Sequence, residues 1–348
     1  MRIHISHATT YTYDTPPSGV TQLLRLTPRD HEGQHVLSWR IDLSEDCLLH
    51  QHEDAFGNII HSFTAEGPFD RLSVEVDGEV DTQDTGGLVK GAVECFPPQL
   101  FLRETSLTQP DPAIVDFAKT AQAGTNGDNL ALLHALLAAL NRQIAFDTDP
   151  THTATTAAQA FALRRGVCQD ITHIFVAAAR SLGIPARYVG GHFHRADGVT
   201  SQEAGHAWAE AHIENLGWVG FDPTNHCTVS QNFIKVGVGR DYRDVPPNKG
   251  VYRGKAVESM SVSVNSDELE EVPQALAAER LESIPVDIFS EHPMAVDRSL
   301  ASQQQEHQQQ QGRDEVVQQQ QQQQQSLHNI RKKMVRIRTI DARPIRLR

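Results

Sequence analysis

The chain has 348 residues, enough for two domains plus extensions. Its formal net charge of −13 and isoelectric point near 5.7 argue against a nucleic-acid-binding role for the body of the protein. The four cysteines, Cys47, Cys95, Cys168 and Cys227, form no Cys-x-x-Cys pair and are too sparse for a disulfide framework.

That cysteine usage points to a reducing compartment. The N-terminus, Met1 to His7, lacks the apolar core of a signal peptide. No stretch approaches the roughly 20 apolar residues of a membrane span. A soluble, cytoplasmic protein is expected, and its oligomeric state is not legible at this level.

Residues 1–90 read as strands. Arg2–His7, Thr21–Leu26, Leu37–Leu43 and Leu72–Val76 are alternating or β-rich. Turn signals at Pro16-Pro17, Phe56-Gly57-Asn58 and Gly67-Pro68 separate them. A β sandwich of about seven or eight strands fits. It holds no catalytic cluster, so a structural or substrate-gating role is expected for it.

Phe96-Pro97-Pro98 marks a boundary, and helical patterns follow. Asp111-Pro112 is an N-cap with Pro at N1. Leu132, Leu133, Leu136, Leu137 and Leu140 share a helical face between Leu130 and Ile144. Thr155 to Phe161 predicts a third helix leading to a turn at Gly166. A fourth follows, with Ile171, Ile174, Phe175, Ala178 and Leu182 in one apolar stripe. Gly183 suits its C′ position and Pro185 prevents continuation.

Cys168 falls in the first turn of that fourth helix. Free backbone N–H groups and the positive end of the helix dipole favour a thiolate there. A helix terminus contributes about 2 kcal/mol at best. That is too little alone, so a nearby imidazolium is required. Asp170 shares the turn and is expected to cap local N–H groups rather than face the sulfur.

His206 is the candidate imidazolium. His206–Ile213 and Trp218–Asp222 read as a hairpin across Glu214-Asn215-Leu216-Gly217. Such a hairpin would place Asp222 close to His206; its register is not legible in the sequence, and the motif implies that one ring nitrogen meets the carboxylate while the other faces Cys168. Each group has an ordinary alternative. A cysteine beside an apolar helix is commonly a small buried hydrophobe. A strand histidine is commonly a satisfied polar residue, and Asp-Pro commonly just starts a turn. The three in this order point to nucleophile, base and orienting acid.

His192, His194, His206 and Cys227 leave a metal-dependent hydrolase as an alternative. Adjacent His226 and Cys227 lack finger spacing, so no metal and no cofactor are expected. His173, five residues past Cys168 on the same helix, faces away from it and reads as structural.

Beyond about residue 266 the character changes. Leu269 to Leu281 predicts a short amphipathic helix. Glutamine runs at 303–305, 308–311 and 318–325 cannot bury a core and are expected to be disordered. From Arg331 onward, eight Lys/Arg face one acid, Asp341, giving the tail +7 and the rest of the chain about −20. Solvation or folding back on the acidic body is expected for it, ahead of nucleic-acid or lipid binding.

Gly166-Val167-Cys168-Gln169-Asp170, His206-Ala207-Trp208-Ala209-Glu210 and Gly217-Trp218-Val219-Gly220-Phe221-Asp222-Pro223-Thr224-Asn225 resemble the core of the transglutaminase-like superfamily, papain-like cysteine enzymes. The likeness is greatest to the bacterial branch with an added N-terminal β domain, whose members are described as candidate cysteine proteases. Gly239-Arg240-Asp241-Tyr242, Asp244-Val245-Pro246-Pro247 and Gly250-Val251-Tyr252-Arg253-Gly254 fit that branch. Thr10-Tyr11-Thr12-Tyr13 and Leu24-Arg25-Leu26-Thr27-Pro28-Arg29 look like its extra domain. The resemblance covers roughly residues 1 to 265.

The resemblance implies an α+β fold with a papain/transglutaminase-like core after an all-β sandwich. It divides the chain into an N-terminal β domain at 1–90, a catalytic core at 91–265 and a Gln-rich, basic tail at 266–348. It places the nucleophile on Cys168, the base on His206 and the orienting acid on Asp222. One departure is Phe146, where relatives often carry Tyr, so the oxyanion donor that would join the Cys168 backbone N–H stays unassigned. The expected activity is acyl transfer from a peptide or protein amide through a thioester. Aromatic residues are 6% of the chain and tryptophans number three, thin material for a water-excluding channel. Hydrolysis is therefore expected ahead of protein-glutamine amine transfer. A catalytically silent peptide-binding relative is the remaining alternative.

Overall fold

The computed structural model describes residues 1–269. The first strands are β1 (Arg2–Tyr13), β2 (Gly19–Thr27), β3 (Gln34–Leu43), β4 (His50–Glu53), β5 (Ile59–Glu66), β6 (Arg71–Thr82) and β7 (Leu88–Val89). Helices α1 (Pro112–Gln122) and α2 (Asn129–Gln143) follow, then β8 (Ala145–Phe146), α3 (Ala157–Leu163), β9 (Arg165–Gly166) and α4 (Cys168–Ser181). The last run is β10 (Ala186–Phe193), β11 (Ser201–Gln202), β12 (His206–Ile213), β13 (Gly217–Asp222), β14 (Cys227–Thr228), β15 (Phe233–Gly239), β16 (Asn248–Arg253) and β17 (Glu258–Leu269). This is the expected α+β fold, with a β region before a core of helices packed on a sheet.

The sandwich is built from two sheets, ordered β11-β17-β1-β6-β3 and β16-β2-β5-β4. Three of these strands lie beyond residue 90. β17 runs antiparallel to β1 along its whole length, from Arg2 opposite Leu269 to Tyr13 opposite Glu258. β16 pairs with β2, Asn248 opposite Leu24. The segment 248–265, which the sequence reading assigns to the core, therefore contributes its strands to the sandwich. Conversely, β7, from the segment assigned to the sandwich, pairs with β13 of the core sheet, Trp218 opposite Val89. Leu269 closes β17 rather than opening a helix. The rest of that expected helix, with the glutamine runs and the basic tail, lies outside the described residues.

β1 shows why the two sheets and the core form one body. Its odd-numbered side chains are buried. Tyr11 and Tyr13 join the sandwich core with Leu24, Phe63 and Leu72. Ile3 and Ile5 instead pack on Val80 and on Ile234 of β15. Two buried side-chain amides clip β15 to the sandwich. Asn58 donates to Val238 O and accepts from Val238 N, both at 2.8 Å. Gln34 donates to Lys235 O at 3.0 Å and accepts from Lys235 N at 2.7 Å. Each satisfies two strand groups that would otherwise be buried without a partner.

The core sheet runs β14-β13-β12-β10-β15. The helix starts follow local capping chemistry. The Asp111 carboxylate accepts from Ile114 N at 2.9 Å, ahead of Pro112. Thr156 and Gln159 form a reciprocal capping box on α3. α4 differs from the amphipathic stripe that its sequence predicts. Every residue from Gln169 to Arg180 is buried, because sheet, helices and connecting segments surround it. Its polar residues are partnered inside: Arg180 donates to Phe101 O, Ala186 O, Arg240 O and the Thr108 hydroxyl.

Candidate active site

α4 begins on Cys168, and the preceding Val167 is extended. Asp170 organises this turn. Its Oδ2 accepts from Val167 N at 2.9 Å and from the Thr151 hydroxyl at 2.7 Å. Burial raises the Asp170 carboxyl above its usual range, against the pull of those hydrogen bonds. A Cβ on Gly166 would come within 2.7 Å of Asp170 Oδ2, so the turn admits only glycine there. The carboxylate thus caps the backbone, as the sequence suggests. Cys168 is half-buried at the helix head, packed against Tyr188, Ala207 and Val245.

His206 opens β12, and the β12–β13 register pairs Ala209 with Phe221. Continued by one step, that register sets Trp208 opposite Asp222 and His206 diagonal to it on the same face. His206 Nε2 and Asp222 Oδ2 are 2.7 Å apart. The other ring nitrogen, Nδ1, is left for Cys168, which lines the same cleft and favours the imidazolium.

Asp222 is wholly buried and held from several sides. Its Oδ1 accepts from Thr224 N at 2.9 Å and Asn225 N at 3.2 Å, and its Oδ2 from Asn225 Nδ2 at 2.7 Å. The Asp-Pro-Thr-Asn turn thus fixes the carboxylate before the histidine arrives. Burial alone would raise the Asp222 carboxyl, but the bonds from His206 and Asn225 hold it below the usual range. Burial also opposes the imidazolium of His206. The hydrogen bonds and charges of Asp222 and Cys168 outweigh it and carry His206 up to about 10. Phe193 lies 5.3 Å from the His206 ring between centroids, and Trp208 and Phe233 lie at 6.2 and 6.1 Å. These aromatic faces keep water from the His206–Asp222 bond.

Cys168 and His206 open onto a cleft of about 720 Å³. The core supplies one wall, including Tyr188, Gly190 and Thr224, and the sandwich supplies the other, including Thr9, Leu26, Asn248, Met260 and Val262. Sequence reasoning missed the sandwich residues, which lie far from the triad in the chain and carry no chemical signature. It also missed the bracing role of Asn225, which follows the Asx turn that Asp222 makes with Thr224 N two residues on. Phe146 lines the cleft and is 60% exposed.

His173 is fully buried one turn along α4. Its Nε2 accepts from Tyr242 N at 3.1 Å, and its ring centroid lies 5.1 Å from that of Tyr188. Burial lowers it to about 3, which keeps it neutral. His194 Nδ1 lies 3.2 Å from Ser266 O, and His192 packs edge-on against His7. Among the described residues, no three His, Cys, Asp or Glu side chains gather as metal ligands.

Residues 3–81 match the bacterial transglutaminase-like N-terminal region, and residues 117–223 match the transglutaminase-like superfamily core. An uncharacterised protein of Mycobacterium leprae is 31% identical over 273 residues, 76% of this chain and 97% of its own length. An uncharacterised protein of Mycobacterium tuberculosis is 27% identical over 288 residues, 76% of this chain and 92% of its own length. Among solved structures, a candidate cysteine protease from Cytophaga hutchinsonii superposes with a TM-score of 0.60 at 22% identity, covering 78% of this chain and 93% of its own. The chain belongs to the transglutaminase-like superfamily, in the branch that carries the bacterial N-terminal region.

Proposed function

We propose that the protein is a cysteine-dependent acyl-transfer enzyme that cleaves peptide or side-chain amides. The observation that carries this reading is the head of α4. There Cys168 meets the imidazole of His206, whose far nitrogen is bound to a buried Asp222 at 2.7 Å. The Cytophaga protein's description as a candidate protease is in keeping with it.

In this mechanism, Cys168 Sγ attacks the amide carbonyl carbon as a thiolate. The carbonyl oxygen becomes an oxyanion, and the Cys168 backbone N–H at the helix head donates to it. The C–N bond then breaks while His206 Nδ1 gives its proton to the departing nitrogen. Asp222 keeps the ring oriented and stabilises its charge throughout. The resulting thioester is attacked by water, whose proton passes to the now neutral His206. The C–S bond breaks, and the acid leaves with the thiolate–imidazolium pair restored.

Hydrolysis is the favoured outcome, as peptidase or amidase. Gln202, Thr224 and Asn248 line the cleft, so its walls carry polar groups that suit water as well as apolar ones. Amine transfer instead needs water kept out while an amine enters. The deciding experiment incubates a reactive peptidyl amide with and without a primary amine and weighs the products. Free acid is expected in both tubes. An amine adduct as the main product at millimolar amine would replace the hydrolase reading with a transferase one.

A further inference from the structure

We propose that the N-terminal sandwich supplies the enzyme's specificity subsite: Met260 and Val262 of β17, backed by the buried Leu26 of β2, receive an apolar side chain of the substrate. The inference rests on Cys168 as the attacking group, since the same cleft holds both.

Three large apolar side chains from distant parts of the chain stand exposed on this one cleft: Met260 at 59%, Phe146 at 60% and Val199 at 46%. Exposed apolar surface gathered in a concave site is the usual mark of a ligand-contacting wall. Met260 and Val262 sit on a strand rather than a loop. β17 is hydrogen-bonded to β1 on one side, Met260 opposite Tyr11 and Val262 opposite Thr9, and to β11 on the other. The wall is therefore held in place before substrate arrives. Because the cleft runs on to Cys168, its occupant is the chain attached to the attacked amide.

Charge narrows the occupant further. Arg25 is paired with Asp54 through Nε at 3.1 Å, and its Nη1 is buried without a partner. Arg195 is committed to Asp197. Burial lowers His7 to about 4 and His192 to about 3, so neither imidazole is a cation at neutral pH. Glu203 lines the cleft with no partner among the described residues. An acidic side chain beside Met260 would lose its hydration and meet Glu203, whereas an apolar one buries Met260.

The test labels Cys168 with acetyl-Xaa-Gly chloromethyl ketones in which Xaa is Leu, Ala or Glu. Each rate is divided by that of iodoacetamide on the same protein. The Leu probe is expected to exceed the Glu probe by roughly tenfold or more, the scale of discrimination one apolar pocket provides. Met260→Asp should abolish that ratio, and Met260→Leu should keep it. A second arm needs no chemistry. In Cys168→Ala protein with methyl-labelled methionine, acetyl-leucine amide should shift the Met260 methyl resonance, and acetyl-glutamate amide should not. Equal Leu and Glu ratios, with iodoacetamide labelling still dependent on His206, would overturn the subsite and leave the nucleophile standing. Loss of the His206 dependence would instead overturn the nucleophile. The subsite would then stand or fall on the methyl shift alone.

Discussion

At the residue scale, the site turns on which groups can hold charge. His206 is carried from 6.5 to about 10 against its own burial, because Asp222 and Cys168 both favour the imidazolium. A group whose pKa is raised on folding stabilises the fold fully below its unfolded value. That contribution is lost as pH rises from about 6.5 through about 10. NMR titration of the His206 ring is expected to show a midpoint near 10, and Asp222→Asn should bring it down markedly. A wild-type midpoint near 6.5 would mean that the ion pair is absent. The other thiols give a second test. Burial raises Cys47, and burial then Asp222 push Cys227 up to about 11. Both should therefore alkylate slowly at pH 6 to 7, and Cys168 should react first. His206→Ala should slow Cys168 by tenfold or more in site-resolved mass spectrometry.

At the scale of elements, the β10–β12–β15 face carries a buried ionic network that holds the histidine strand. Arg187 Nε donates to Glu210 at 2.6 Å, and Lys235 Nζ donates to Glu210 at 2.8 Å. Arg187 also grips Glu94 with both terminal nitrogens at 2.7 and 2.8 Å and stacks over Trp218. Burial would raise Glu210, but Arg187 and Lys235 overcome it and hold it down at about 2. Its stabilising contribution is thus complete above about 4.5 and is lost as pH falls toward about 2. Glu210→Ala strands Lys235 and leaves the Arg187 Nε without an acceptor, and the loss should be about 3–5 kcal/mol by denaturant titration. A loss under 1 kcal/mol would show that the network is dispensable. The clip from Asn58 to Val238 is of the same kind. Asn58→Ala leaves a buried N–H and C=O unpaired and should cost about 1–3 kcal/mol in the same assay.

At the scale of the whole molecule, the chain closes on itself: the strand after the transglutaminase-like core pairs with the first strand of the sandwich. Truncation experiments should therefore give two very different answers. Removing residues beyond about 300 takes away glutamine runs and the basic tail, and melting temperature and turnover should hardly change. Stopping near residue 256 removes β17. That uncovers the edge of β1, deletes buried Val264 and strips Met260 and Val262 from the cleft. Folded stability is only about 5–15 kcal/mol, so such a loss should unfold the sandwich. If the shorter protein melts like the full chain, β17 is not part of the stable body.

Much of the site was legible in the sequence because its signals are local. Cys168 sits at a helix start marked by Gly166 and Asp170, and the Asn215-Gly217 turn sets the β12–β13 hairpin. The α+β order, the helix caps at Asp111 and Thr156 and the backbone-capping role of Asp170 are local in the same sense. What the sequence could not carry depends on pairing between distant segments. β16 and β17 read as a continuation of the core because nothing in 248–269 names β1 or β2 as partner. The apolar stripe of α4 gives no sign that Asp170, His173 and Arg180 are enclosed too, since burial of its polar face depends on loops arriving from Phe101, Thr151 and Arg240. Alternation tells a strand which side chains share a face, and only the folded sheet decides what that face meets. Here it set Leu26, Met260 and Val262 across the cleft from Cys168.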